Sequence, residues 1–167
     1  MSEALVPALL AVQGVLGGID TLLNHEWLAR LPHRPEARGE IGLHSIREAI
    51  YATLFAGFAW FDMQGSVCAL VAALLVLEVI ITSCDEFVEN RIRVLPQNER
   101  VLHIFLTLNL GAIIALLVPQ LLEAWPRPTA LIAHDFGALS WLLTAFAALG
   151  VFWCVRDFLA WLRLGRA

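Results

Sequence analysis

The chain has 167 residues, 59% of them hydrophobic and 16% charged, and carries a formal net charge of −4 with a mean hydropathy of +0.74. Soluble domains carry roughly half apolar residues, so this composition argues against an ordinary water-soluble globule and points to a bilayer as the solvent. Nothing in it suggests a nucleic-acid partner, and Cys68, Cys84 and Cys154 lie in apolar stretches without the paired spacing of a disulfide framework or zinc knuckle.

A membrane span needs about 20 mostly apolar residues. Five segments qualify, near 4–30, 40–61, 66–93, 99–124 and 137–162, which predicts one all-α transmembrane domain over 1–167. The stretch from Met1 to Leu10 has no basic leader, so the first segment is expected to remain as a helix. Pro7 suits a first turn, Pro32 and Pro35 close the first helix, Pro96 closes the third, and Pro126 with Pro128 mark the longest outer connection. Short connections favour an up-down bundle. Gly14, Gly17 and Gly18 read as sites of close helix contact.

All eleven basic residues are arginine, and only Arg127 falls on the far side of the predicted spans from the other ten. By the positive-inside rule the arginine-rich side is cytoplasmic, with the amino terminus out and the carboxyl terminus in. A bacterial inner membrane is the expected location.

The ionisable residues gather at that arginine-rich end. At about 1.5 Å per residue, His25 and Glu26, Glu40 and His44, Asp85 and Glu89, and Glu99 and His103 lie roughly one to three turns from the helix 1–2 and 3–4 turns. Residues four apart share a helix face. Glu40 with His44 and Glu99 with His103 form such pairs, and Glu78, Thr82, Asp85 and Glu89 make a stripe on helix 3. A weak internal repeat, an acid or histidine, a Leu-Pro stop and then Glu-x-x-x-His, relates the two hairpins. Ionised groups at membrane depth pair, bind ions or line pathways, and carboxylates with imidazoles on facing helices suit metal ions. Asp20, Arg47, Glu78, Arg93 and Arg100 are expected to support the ligands or carry protons, and Asn109 to join that deeper set.

In these residues the chain resembles the ferritin-like di-metal carboxylate proteins, in which two helices each give a Glu and two others each give a Glu and a His. It departs in spacing, with Glu-x-x-x-His in place of Glu-x-x-His at both positions, and in offering His25 beside Glu26 on helix 1. It also looks like an uncharacterised family of small bacterial membrane proteins carrying Asn24-His25-Glu26, Glu40-x3-His44-x2-Arg47-Glu48-x2-Tyr51, Asp85-x3-Glu89 and Glu99-Arg100-x2-His103. The first resemblance implies a four-helix site on helices 1 to 4 holding two metal ions, iron foremost, with manganese or zinc as alternatives.

The expected activity is that of a di-iron-type oxidoreductase, an oxidase or hydroxylase. Its substrate would be a lipid-soluble molecule or quinone, with a separate electron donor and a homo-oligomer as further partners. Tyr51 and Glu48 are its candidate catalytic residues. Rival readings are a proton-coupled transporter or channel built on Asp20, Glu48, Glu78 and Asp85, a haem carrier using His25, His44 and His103, and a bundle that metal merely stabilises. Helix 5, without an acid or histidine in its interior before Asp157, reads as packing.

Overall fold

The computed structural model describes residues 4–166. Five long helices account for most of them. Helix α1 (Leu5–Ile19) continues directly into a π-helix (Asp20–Ala29), and two single 3₁₀ turns, Leu31–His33 and Pro35–Ala37, lead to α2 (Arg38–Trp60). Strand β1 (Phe61–Gln64), α3 (Val67–Ile92), α4 (Gln97–Ala124), strand β2 (Ala130–Ala133) and α5 (Ala138–Leu164) follow. The helix limits agree with the predicted spans to within about two residues, because proline and glycine punctuate both ends of each apolar run.

Two features escaped the sequence pattern. β1 and β2 pair antiparallel, Phe61 opposite Ala133 and Gln64 opposite Ala130, tying the α2–α3 connection to the α4–α5 connection. The fold is therefore a helical bundle with one small β ribbon across its arginine-poor end. The second feature is the packing order. α5 packs on both α1 and α2, α1 on α4, α4 on α3 and α3 on α2, so the helices close a five-membered ring with α5 between α1 and α2. α5 does more than cover the bundle.

Sequence explains why α5 fits there. Gly150 lets the helix approach until an added Cβ would lie 3.1 Å from Ala52 Cβ, Gly42 faces the Trp161 ring, and the Ser45 hydroxyl donates to the Cys154 carbonyl at 3.0 Å. Gly14 admits the Phe146 ring on the α1 side.

Polarity is inverted relative to a soluble protein. Leu22, Phe87, Leu108, Leu122, Trp141 and Phe152 are exposed, whereas Asp20, Glu40, Glu78, Asp85, Glu89 and Glu99 are buried. The segments Leu5–His33, Val67–Ile92, Gln97–Ala124 and Ala138–Leu164 are long and apolar enough to cross a membrane. α2, at 23 residues, is long enough, but Arg38, Glu40, His44, Arg47 and Glu48 keep it out of that apolar class.

The glycine contacts give a test. An added Cβ at Gly14 would stand 2.6 Å from the Phe146 ring, whereas at Gly17 it would meet nothing within 4 Å. Gly14→Ala is expected to cost about 1–3 kcal/mol through overpacking, and Gly17→Ala to be stabilising by about 0.5 kcal/mol through helix propensity. Thermal unfolding of the detergent-solubilised protein, followed by helical circular dichroism, reads both signs.

Candidate metal centre

The donors lie at the arginine-rich end, where four helical segments face one another. The π-helix sets the contribution of the first. Hydrogen bonding from i to i+5 stacks residues five apart, so Asp20 and His25 point inward together, with Asn24 beside them and the three of them buried. An α-helix would splay Asp20 from His25. On α3, regular α geometry does the same for Asp85 and Glu89, four apart and both buried. The wider π-helical turn thus matches Asp20–His25 to Asp85–Glu89 across the site.

The histidine of each Glu-x-x-x-His helix meets carboxylates of these two pairs. His44 Nε2 lies 3.0 Å from Asp85 Oδ2, and His103 Nε2 lies 3.2 Å from Asp20 Oδ2. His103 Nδ1 is 3.4 Å from Glu89 Oε1. Asn24 donates to Asp20 at 2.7 Å and accepts from Asn98 at 2.9 Å, which fixes the Asp20 carboxylate from behind. Carboxylate–imidazole pairing of this kind orients a ring and selects its tautomer.

Three glutamates converge on one guanidinium. Arg93 Nη1 and Nη2 donate to the two Glu99 oxygens at 2.8 and 2.6 Å, and Nη2 also donates to Glu40 Oε1 at 2.8 Å. Glu89 Oε2 stands 3.7 Å away. Burial pulls the Arg93 guanidinium down, but its hydrogen bonds to Glu99 and Glu40 outweigh this and hold it above its ordinary value. It stays charged at every accessible pH. Arg47 plays the matching part deeper in the bundle, 3.1 Å from Asp85 Oδ2 and 3.5 Å from Glu78 Oε1, while Thr82 donates to that Glu78 oxygen at 3.1 Å.

His25 is the exception. It is 4% exposed, its ring centroid is 4.3 Å from that of His44, and neither ring nitrogen has a hydrogen-bond partner among the described residues. Nε2 lies near Asp20 Oδ2 at 3.4 Å and Glu99 Oε1 at 3.6 Å without hydrogen-bond alignment. A neutral imidazole always carries one donor and one acceptor, and leaving both buried and unmatched costs free energy. Two sets of ligand atoms close enough to share an ion both include this ring: Asp20, His25, Glu99 and His103, and His25, Glu40 and His44. A third set, Glu86, Glu89 and His103, relies on the exposed Glu86, which already accepts from Asn90.

Charge counting points the same way. Of the seven buried carboxylates among the described residues, Asp157 pairs with Arg156; Glu40, Glu78, Asp85, Glu89 and Glu99 face two guanidiniums, Arg47 and Arg93, and Asp20 faces only histidines, so these six, when ionised, leave four negative charges. Two divalent cations offset all four, whereas protonating His25, His44 and His103 offsets three. The mixed oxygen and nitrogen donors, buried and facing one another, fit metal ions.

Not every predicted residue joins this cluster. Glu26 turns outward and pairs with Arg156 of α5, so of these two neighbours it is His25 that joins the cluster. Arg100 is exposed, away from the carboxylates that Arg93 holds. Asp20, expected on a deeper proton route, stands among the donors. Asn24 and Asn98 were missed as positioning groups, because only the π-helix brings Asn24 to the inner face.

Glu48 and Tyr51 line a cavity of about 290 Å³ that begins at His25, His44 and His103 and continues between the helices to Phe55, Leu110 and Phe146. Tyr51 accepts from Gln13 at 2.9 Å, and Asn109 donates to Gln13 at 2.7 Å. Beyond that layer the core is apolar, with Leu10, Leu54, Leu117 and Leu143 buried. Comparison with protein-family models, with curated proteins and with solved structures finds no match.

Removing a buried charge partner should separate the two arginines. Arg93→Met is expected to destabilise the protein by about 3–5 kcal/mol, because Glu40 and Glu99 lose their counter-charge. Arg100→Met should stay within about 0.5 kcal/mol of wild type. Chemical unfolding in detergent compares them.

Proposed function

We propose that the chain is a multi-pass membrane protein that holds two metal ions between its helices and acts as an oxidoreductase, an oxidase or hydroxylase, on a lipid-soluble substrate. The observation that carries this reading is His25, a buried imidazole with two unmatched nitrogens, shared by two sets of ligand atoms. Asp20, Glu99 and His103 would complete one ion's surroundings and Glu40 and His44 the other's, with the His25 ring deprotonated to imidazolate so that each of its nitrogens gives a lone pair to one ion. Of divalent ions, iron and manganese suit such a donor set best, with zinc an alternative. α2 would cross the bilayer as the fifth span with its polar face inward, and the arginine-rich end would face the cytoplasm of a bacterial cell.

A redox-active metal pair would supply electron transfer and oxygen chemistry. The protein's own groups do the rest. Asp85 and Asp20 orient the His44 and His103 rings, Arg93 neutralises carboxylates that would otherwise repel one another, and Asn24 fixes Asp20. The cavity leads from the imidazoles to apolar walls, so an apolar substrate can lie beside the donors with water excluded.

The same layout weighs against a transporter. The polar ladder from Asp85 through Arg47 and Glu78 to Tyr51, Gln13 and Asn109 stops below the layer of Leu10, Leu54, Leu117 and Leu143. It is suited to moving a proton within the cavity. The contact between His25 and His44 also leaves no gap between those two rings for a porphyrin plane.

Metal analysis of the purified protein tests the reading. Wild type is expected to carry about two ions per chain, a His25→Ala His44→Ala His103→Ala variant to lose them, and Glu26→Ala to keep them. Metal-free wild type, or full retention by the triple variant, contradicts it.

A further inference from the structure

The far part of the cavity carries polar groups that the metal centre does not use. Glu78 is 1% exposed, and its Oε2 has no hydrogen-bond partner among the described residues. Arg47 Nε likewise has none, although it lies 3.5 Å from the other Glu78 oxygen. Both residues line the cavity beside Tyr51. A buried acceptor and a buried donor left unmatched side by side cost free energy, and a ligand group that both donates and accepts satisfies them together. A hydroxyl does this. A ketone only accepts, an ammonium only donates, and a carboxylate would face the Glu78 charge.

The remaining walls select what carries the hydroxyl. Phe55 and Phe146 stand at the cavity with ring centroids 5.8 Å apart, and Tyr51 stacks on Phe55 at 5.7 Å. Such walls favour another aromatic ring, in offset or edge contact. The volume of about 290 Å³ is at the small end for ligand sites, enough for one ring with its tail directed outward. α1 provides the way in, since Gly17 and Gly18 line the cavity and a Cβ on either would meet nothing within 4 Å, next to the exposed Leu22.

We infer that this part of the cavity binds a lipid-soluble phenol, its hydroxyl donating to Glu78 Oε2 and accepting from Arg47 Nε, its ring against the Phe55–Phe146 pair, and its tail leaving past Gly17 and Gly18 into the bilayer. The inference rests on the preceding section for its view of the site as one that takes a lipid-soluble substrate, and it names the class. Arg47 also holds Asp85, the partner of His44, so the bound hydroxyl would sit one side chain away from the metal donors.

Photolabelling tests it on the full-length protein in phospholipid nanodiscs, using a 4-alkylphenol with a diazirine in its tail, with unlabelled 4-octylphenol as competitor. Labels should map to α1, α2, α4 and α5 around the cavity, and 4-octylphenol should compete while its methyl ether and 1-decanol compete about tenfold less well. Gly18→Leu, which fills the way in, and Glu78→Leu should each weaken competition by about tenfold. Should Glu78→Leu fail to fold, Glu78→Gln is expected to show the smaller loss of a neutral acceptor. Labelling scattered over the lipid-facing surface, equal competition by the ether or by decanol, or unchanged competition in both Gly18→Leu and the folded Glu78 variant would overturn the inference. Metal content measured on the same samples separates the two ideas: metal present without phenol competition rejects the pocket alone, and competition without metal rejects the metal reading alone.

Discussion

The structure depends on the balance of buried charge at one end of the bundle. Carboxylates placed where water is scarce cost several kcal/mol each unless a counter-charge meets them, yet seven are buried among the described residues. Arg93 binds Glu40 and Glu99 together, and Arg47 joins Asp85 to Glu78. Those two cations draw α2, α3 and the start of α4 onto one point. The π-helix completes the arrangement by turning Asp20 and His25 to the same side. What the guanidiniums leave uncompensated is the attraction for further cations, and the unmatched His25 ring lies where they would bind.

Packing elsewhere serves that end. α5 inserts between α1 and α2 because glycine at 14, 42 and 150 clears room for Phe146, Trp161 and the Ala52 ridge, and it carries Arg156 to Glu26 at the rim. The β ribbon ties the opposite connections together. With an apolar layer closing the far half, the bundle is polar inside at one end only, and the cavity grades from charged donors to aromatic walls.

Much of this was legible in the sequence. Apolar runs bounded by proline located the five helices, and the i, i+4 spacing of Glu40 with His44, Glu99 with His103 and Asp85 with Glu89 identified inward faces. That reasoning assumes a uniform 3.6-residue period, and it failed where the period changes: Asp20 and His25 are five apart, so their shared face, and the outward turn of Glu26, appear only with the π-helix. The ribbon was hidden because four-residue strands at Phe61–Gln64 and Ala130–Ala133 have too little alternation to signal a partner. Arg93 and Arg100 have similar sequence surroundings, and only the direction in which the chain leaves α3 puts the first among the carboxylates and the second in the open.

The central claim is that two ions lie between these helices, with His25 common to their surroundings. An anomalous difference map, recorded at the absorption edge of the metal found in the purified protein, tests it most directly. The expected result is two peaks, one bounded by Asp20, His25, Glu99 and His103 and the other by His25, Glu40 and His44. A map with no peak among those residues, or with its only peak beside the exposed Glu86, would contradict it.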